Sequence, residues 1–336
     1  MTIQQEVHIT VFMAAYNAEA YIATSIQSVL IQTYPHFELL IVDDGSTDRT
    51  VEIVNTFSDP RIRLIQNKEN RGLPYTRNVA LTEAKGELMA ILDSDDISFS
   101  NRLQLQIEEF RKRPELAVLG GFAYIINKQG ERTGEEITLR TGVDKTRAIL
   151  LFANTFVHST VMIRMSAFKD IGGYPNHTVA QDYALFARIA LKYEVDNLPT
   201  YLGEYRIHDN NITDRKKHLT ENQLRMILLE QLLLLIPNTA QKSLDILRTP
   251  IHESKYSIAS YYRVYREIIL QNRQKKQYPI RELERLLHEN WYEIVMAKGK
   301  WKTFILFLRK PVFNATWVTS KQLRRVLKRS IRQLFS

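Results

Sequence analysis

Residues 39–48 read LLIVDDGSTD, an apolar run that ends in two adjacent acids, Asp43 and Asp44, and then turns on Gly45. Neighbouring carboxylates repel, and a fold tolerates them most easily where a cation, a hydrogen-bond donor or water meets them. Two explanations stand. Strand ends are exposed, and Asp-Gly-Ser-Thr-Asp is ordinary turn and helix-cap chemistry. Alternatively, the acids face a ligand beyond the carboxyl ends of a parallel sheet, where open α/β folds bind small molecules.

The pattern around this stretch favours such a sheet. Candidate strands HITVFMAAY, FELLIVDD, RIRLIQN, ELMAILDSDD and LAVLGGFAYII alternate with helical segments as far as residue 127. Ile22, Ile26, Val29 and Leu30 share one helical face, and further helices are expected from Thr47, Leu73 and Asn101. Strands separated by helices of this length imply right-handed crossovers and a mostly parallel sheet, hence an α/β fold of the nucleotide-binding type. Residues 128–147 are polar and charged and are expected to form a loop or lid. A mixed segment follows to about 214, with the helix QDYALFARIALKY and the strand TYLGEYRIH. Beyond 218 long helical patterns take over. The expected domains are therefore 1–218, with halves of about 5–127 and 128–218, and a helical region 219–336.

Composition narrows the chemistry. The 336 residues contain no cysteine, which removes disulfides, thiol catalysis and thiolate metal sites. The N-terminus lacks a basic region followed by an apolar core, so no secretion signal is expected. MILLEQLLLLIP, residues 226–237, is shorter than the ~20 residues of a membrane span. The net charge of +9 is concentrated after residue 300, where nine Lys or Arg stand with no Asp or Glu. In SKQLRRVLKRSIRQLFS, Leu323, Leu327, Ile331 and Leu334 fall at helical spacing with basic residues on other faces. Such a helix suits an anionic membrane surface, with aromatic insertion from WKTFILFLRKPVF, or packs on its own domain with a solvated basic face. No RNA-binding module accompanies it, and no nucleic-acid partner is expected.

The chemistry-bearing groups stand at strand ends and helix starts. ILDSDD places Asp93, Ser94, Asp95 and Asp96 after an apolar run. An Asp-x-Asp there suits a hard divalent cation, Mg²⁺ or Mn²⁺, which takes oxygen ligands and shares phosphate oxygens: Asp95 would hold the metal while Asp93 meets a ribose hydroxyl. An acidic loop is the alternative. Asp182 lies in the first turn of its helix, where an acid also favours the dipole. His208 follows the strand TYLGEYRIH; His158 and His177 receive no role. A Gly-x-Gly-x-x-Gly fingerprint, a phosphate-binding Gly-Lys-Ser/Thr loop and a Gly-x-Ser-x-Gly elbow are all absent. The first turn instead reads AAYNAEAYI, offering Tyr16 as a stacking face.

Taken in order, VFMAAYNAEAYIATSIQSVLIQTYPHFELLIVDDGSTDRT, NRGLPYTRNVALTEAKGELMAILDSDD, DIGGY and QDYALFAR resemble family 2 glycosyltransferases, inverting enzymes of the GT-A (Rossmann-like) fold, of the bacterial surface-polysaccharide type. The resemblance covers roughly residues 5–215. It implies a hexosyltransferase-like enzyme using a nucleotide-sugar, most commonly UDP-linked, and a saccharide or lipid-linked acceptor. It implies Ala14 and Tyr16 at the nucleobase wall, Asp44 with Asp43 beside it on the base, and Arg77 on the nucleotide side. Asp93 would meet the ribose, Asp95 the metal with Asp96 adjacent, and His208 the metal or diphosphate. Asp182 resembles the general base, with Gln181 standing where many relatives have Glu. The processive Gln-x-x-Arg-Trp motif is absent, so one sugar per encounter is expected. The expected place is the cytoplasm, peripheral at the inner membrane face. The alternatives are a sugar-phosphate nucleotidyltransferase, whose Gly-rich basic loop is missing, and a membrane-docked GT-A scaffold without turnover, which would have lost Asp95 or Asp182.

Overall fold

A computed structural model of the chain describes residues 8–208, 217–300 and 303–332. Two compact units divide it, Met1–Gln223 and Leu224–Ser336.

The first unit runs β1 (Ile9–Ala15), α1 (Ile22–Leu30), β2 (Phe37–Asp43), α2 (Thr50–Asn55), β3 (Ile62–Gln66), α3 (Leu73–Asn78), α4 (Ala80–Glu83), β4 (Leu88–Ile91), β5 (Ile97–Ser98) and α5 (Arg102–Lys112). It continues with β6 (Leu116–Ile126), β7 (Arg132–Ile137), α6 (Val143–Ile149), a 3-10 turn (His158–Thr160), β8 (Met162–Arg164), α7 (Met165–Ile171), α8 (Gln181–Ala190) and β9 (Glu194–Arg206). All nine strands form one sheet in the order β3-β2-β1-β4-β8-β6-β9-β5, with β7 on the far part of β6.

The strands β3, β2, β1 and β4 are parallel, as the alternation of apolar runs and helices requires. β1 and β2 are buried along their length because helices cover both faces, which is why they read as continuous apolar runs. β8 pairs antiparallel with β4 and β6, so β6 and its parallel neighbour β9 again point the same way as β4. The carboxyl ends of β1, β2, β4 and β9 therefore share one edge, and every candidate site residue near a strand end is brought to it.

Residues 128–147 are not a loop. They contain β7, which pairs antiparallel with β6, and the start of α6. β7 is exposed on both faces. A solvated edge strand has no apolar alternation, so its sequence carried no strand signal.

The second unit is helical. α9 (Lys217–Leu235) leads into it from the first, followed by α10 (Ala240–Arg248), α11 (Ile258–Lys275), α12 (Ile280–Lys298), α13 (Thr303–Phe307) and α14 (Ser320–Arg332). Trp291, Leu283, Leu287, Ile268 and Phe307 fill its core. Asn272 closes the α11–α12 turn by exchanging two hydrogen bonds with the Tyr278 backbone, and Arg273 clamps Glu284 across the same pair with contacts of 2.6 and 2.9 Å. The rings of Phe307 and Phe313 pack around His288, with Phe307 fully buried. Helix α14 packs through Val326 and Ser330, and Arg329 donates to the Ala297 carbonyl at 3.0 Å. Leu334 lies outside the described residues. No helix among the described residues is long and apolar enough to cross a membrane.

Candidate active site

The acid pair at the end of β2 is turned largely to internal work. Asp43 accepts from the Ser46 amide at 3.0 Å and from the Ser46 hydroxyl, folding the turn after the strand. Asp44 accepts from Asn67 Nδ2 at 2.8 Å, the Arg71 amide at 2.9 Å and the Gly72 amide at 2.8 Å. It thereby holds the loop before α3 against the carboxyl edge. A carboxylate has about four lone-pair sites, so three internal donors leave Asp44 one for a ligand. Gly45 fits this crossing for two reasons: its φ is +73°, and an added Cβ would lie 2.7 Å from the Glu69 carbonyl carbon.

The loop after β1 is tied to the same turn. Asn17, at φ 49°, accepts from the Thr47 amide at 2.8 Å, and its own amide donates to the Ser46 hydroxyl at 2.9 Å. Ala14 is partly exposed at the strand end, and Tyr16 projects with 48% of its surface in solvent. An exposed aromatic face there can stack on a planar group.

The DSDD turn places its three acids in three environments. Asp93 meets the Arg77 guanidinium at 3.1 Å and His158 Nδ1 at 3.0 Å. Burial would push its carboxyl up, but His158 and Arg77 outweigh that and hold it well below the usual carboxylate range. Asp95 faces His208, with Oδ2 2.9 Å from Nε2. Burial and the Asp93 charge push Asp95 up against the opposing pull of His208. Asp96 is buried, accepting the Ser159 hydroxyl and the Arg206 amide at 2.8 Å. Burial, with Asp95 and Asp93 nearby, pushes Asp96 well above the ordinary value. Its bonds make it a brace between the turn, the 3-10 turn and β9. Ser94 contributes its carbonyl, which accepts from the Ser25 hydroxyl at 2.9 Å.

Arg206 also holds this turn, donating to the Asp95 carbonyl at 2.7 Å while its guanidinium lies 4.7 Å from the Tyr21 ring centroid. Tyr21 in turn faces the His208 ring at 5.0 Å.

Arg77 joins the two halves of the site. It is buried, bonded to Asp93, and 3.4 Å from Gln181 Oε1 in the first turn of α8. The negative charges of Asp93 and Asp182 both favour its cation. Ala180, at φ 54°, turns the chain sharply into α8, so that Asp182 stands partly exposed in the helix's first turn. Asn154 donates to Asp182 Oδ2 at 2.8 Å, and its own carbonyl oxygen accepts the Phe156 amide at 3.1 Å, which fixes the orientation of the amide. One Asp182 oxygen is held, and among the described residues the other has no such clamp.

His158 completes the network, with Nε2 3.0 Å from the Tyr174 hydroxyl. Tyr174 is latched to Asn78, whose side chain donates to its carbonyl and accepts its amide, each at 2.8 Å. Gly173 permits this approach, since a Cβ there would lie 2.4 Å from Asn78 Oδ1. His158, Asn154, Tyr174 and Arg206 were without a role in the sequence. A pattern search for acids could not find them, because each acts through a partner distant in the chain.

The donor set suits a divalent cation shared with a phosphate ligand. Among the described residues no three His, Asp or Glu side chains gather as a complete metal shell. Asp95 and His208 supply two adjacent donors at an electronegative turn, and Mg²⁺ or Mn²⁺ commonly takes its remaining ligands from phosphate oxygens and water.

The sequence profile described as Glycosyl transferase family 2 matches residues 10–172. A curated relative from Escherichia coli, the UDP-Glc:alpha-D-GlcNAc-diphosphoundecaprenol beta-1,3-glucosyltransferase WfaP, is 33% identical over 212 residues, covering 62% of this chain and 80% of that protein. The chain belongs to family 2 of the glycosyltransferases. Its curated relatives are matched over 47% to 82% of their own length. Among solved structures, S. aureus TarS 1–349 in complex with UDP-GlcNAc shares 18% identity with a TM-score of 0.55, covering 97% of this chain and 92% of that one. The mannosyltransferase PcManGT from Pyrobaculum calidifontis, in complex with GDP-Man and Mn²⁺, shares 16% identity with a TM-score of 0.52, covering 99% and 88%. At these identities the two structures show a common GT-A-like fold for this family 2 chain.

Proposed function

We propose that this glycosyltransferase moves a hexose from a UDP-sugar to a saccharide carried on a lipid diphosphate, with inversion at the anomeric carbon. The single observation that carries the proposal is the Arg77 bridge. Arg77 bonds both Asp93, read here as the donor-side acid, and Gln181 in α8, the helix that carries the proposed base.

Residues of about 5–127 form the donor side in this proposal. Tyr16 stacks on the base, the remaining acceptor position of Asp44 takes a base N–H, and Asp93 takes the ribose. Asp95 and His208 would hold Mn²⁺ or Mg²⁺, which supplies charge neutralisation to the departing diphosphate. Residues of about 128–218 form the acceptor side. The free oxygen of Asp182 takes the proton of the attacking acceptor hydroxyl, while Asn154 holds the other oxygen. A single displacement inverts the centre, so one base suffices and no covalent nucleophile is needed. Gln181 replaces a neighbouring charge by an amide that accepts from Arg77. The lipid-linked acceptor is supported by the similarity to WfaP, whose name gives alpha-D-GlcNAc-diphosphoundecaprenol as its acceptor. In this reading the reaction runs at the cytoplasmic face of a membrane.

The decisive experiment is calorimetric titration with UDP, GDP and dTDP, with and without Mn²⁺. Metal-dependent UDP binding that is lost in Asp95→Ala is the expected result. Preference for GDP or dTDP would replace the donor, and binding of none would leave a scaffold without turnover.

A further inference from the structure

The exposed face of α14 combines two features that the packing of the second unit does not explain. Lys321, Arg324, Arg325 and Lys328 line a shallow groove of about 360 Å³ together with Ser320. All four cations are exposed, and none makes an ion pair among the described residues. Leu327 and Ile331 lie on the same helix with 42% and 45% of their surfaces in solvent. They sit one turn apart, adjacent to the basic row. Val326 and Ser330 face inward, opposite the basic row, so the helix is already anchored, and Leu327 and Ile331 on its flank stay partly exposed. On the neighbouring α13, Ile305 is 73% exposed. No Asp or Glu occurs anywhere after residue 300.

We infer that this face of α14 is a docking surface for an anionic lipid bilayer. The basic row would meet phospholipid headgroups while Leu327 and Ile331 enter the acyl boundary. Charge complementarity selects this occupant. A neutral saccharide offers no charge to the cations, and a second copy of the same face would set four cations against four. A helix lying in an interface needs an apolar strip flanked by Lys and Arg, and α14 keeps that pattern on the side its own unit leaves open. Each cation near an anionic surface strengthens binding by about fivefold at moderate salt. The inference deepens the proposed lipid-linked acceptor: docking would confine enzyme and acceptor to one surface and raise their effective concentration.

The test is co-sedimentation of the full chain with vesicles of phosphatidylcholine alone and of phosphatidylcholine mixed with phosphatidylglycerol. Binding only to the mixed vesicles, released by high salt, is expected. Replacing Lys321, Arg324, Arg325 and Lys328 by Gln should lower that binding by on the order of a hundredfold or more. Leu327→Ser with Ile331→Ser should lower it at every salt concentration. Both variants should retain the nucleotide affinity and circular dichroism of the parent, so a failed donor site and a failed docking face remain distinguishable. Equal binding to both vesicles, or undiminished binding by the Gln variant, overturns the inference. So does the absence of vesicle binding with a dimer that Leu327→Ser dissociates, which would assign the face to a second copy.

Discussion

His158 Nδ1 lies 3.0 Å from Asp93 Oδ2, and the same ring reaches the Tyr174 hydroxyl through Nε2. One imidazole thus ties the turn after β4 to the loop before α8. Among the described residues, removing it leaves the Asp93 side chain with Arg77 and the Tyr174 hydroxyl without this partner. Losing hydrogen bonds to a buried charged group costs about 1–3 kcal/mol. His158→Ala is expected to lower kcat/KM by roughly 10- to 100-fold, with weaker nucleotide binding by calorimetry. Tyr174→Phe, which keeps the Asp93 contact, should lower it by less than about tenfold.

Asp182→Asn should reduce turnover by on the order of 10²- to 10⁴-fold while leaving nucleotide affinity unchanged, because the amide cannot take a proton. Asn154→Ala should produce a smaller fall in kcat. A variant Asp182→Asn that turns over normally would eliminate this residue as the base.

Chelation tests the Asp95–His208 pair. With EDTA present, nucleotide binding should weaken, and added Mn²⁺ should restore it. His208→Ala should raise the Mn²⁺ concentration needed for restoration without abolishing it, since Asp95 and the diphosphate still offer oxygens.

Acid stability should depend on Glu38, far from this chemistry. Burial would raise its carboxyl, but the Thr10 hydroxyl at 2.6 Å, the Lys85 amide at 2.8 Å and the Arg63 cation together hold it below the ordinary value of 4.5. Because the folded value is the lower one, the stabilisation is present above the unfolded value and is lost as pH falls through the folded one. Glu38→Gln should therefore be less stable at neutral pH by about 1 kcal/mol and lose less than the parent on acidification. Urea unfolding at neutral and stepped acidic pH measures both effects.

Gly45→Ala should destabilise the fold by more than about 1 kcal/mol, since a side chain there meets both a left-handed backbone and the Glu69 main chain. Thermal unfolding reports the loss. Nucleotide affinity should fall with it, because the same crossing orders the Asp44 loop.

The sequence alone determined the parallel half of the sheet and the shared edge. Four apolar runs, each followed by a helical stretch, leave little choice but right-handed crossovers, and acids after such runs must lie at the carboxyl edge. The motifs in order also led to the family. Only the tertiary structure decided what each acid does. Asp93, Asp95 and Asp96 are nearly identical in sequence, but one meets Arg77 and His158, one meets His208, and one is buried against Ser159 and Arg206. Those partners lie 16 to 113 positions away along the chain. Local pattern records backbone periodicity and burial, whereas a carboxylate's role depends on which distant donors the fold brings within hydrogen-bond reach. The same limit applied to β7, whose polar residues carry no strand period, and to α14, whose helical spacing was visible but whose outward side was fixed only when Val326 and Ser330 packed inward.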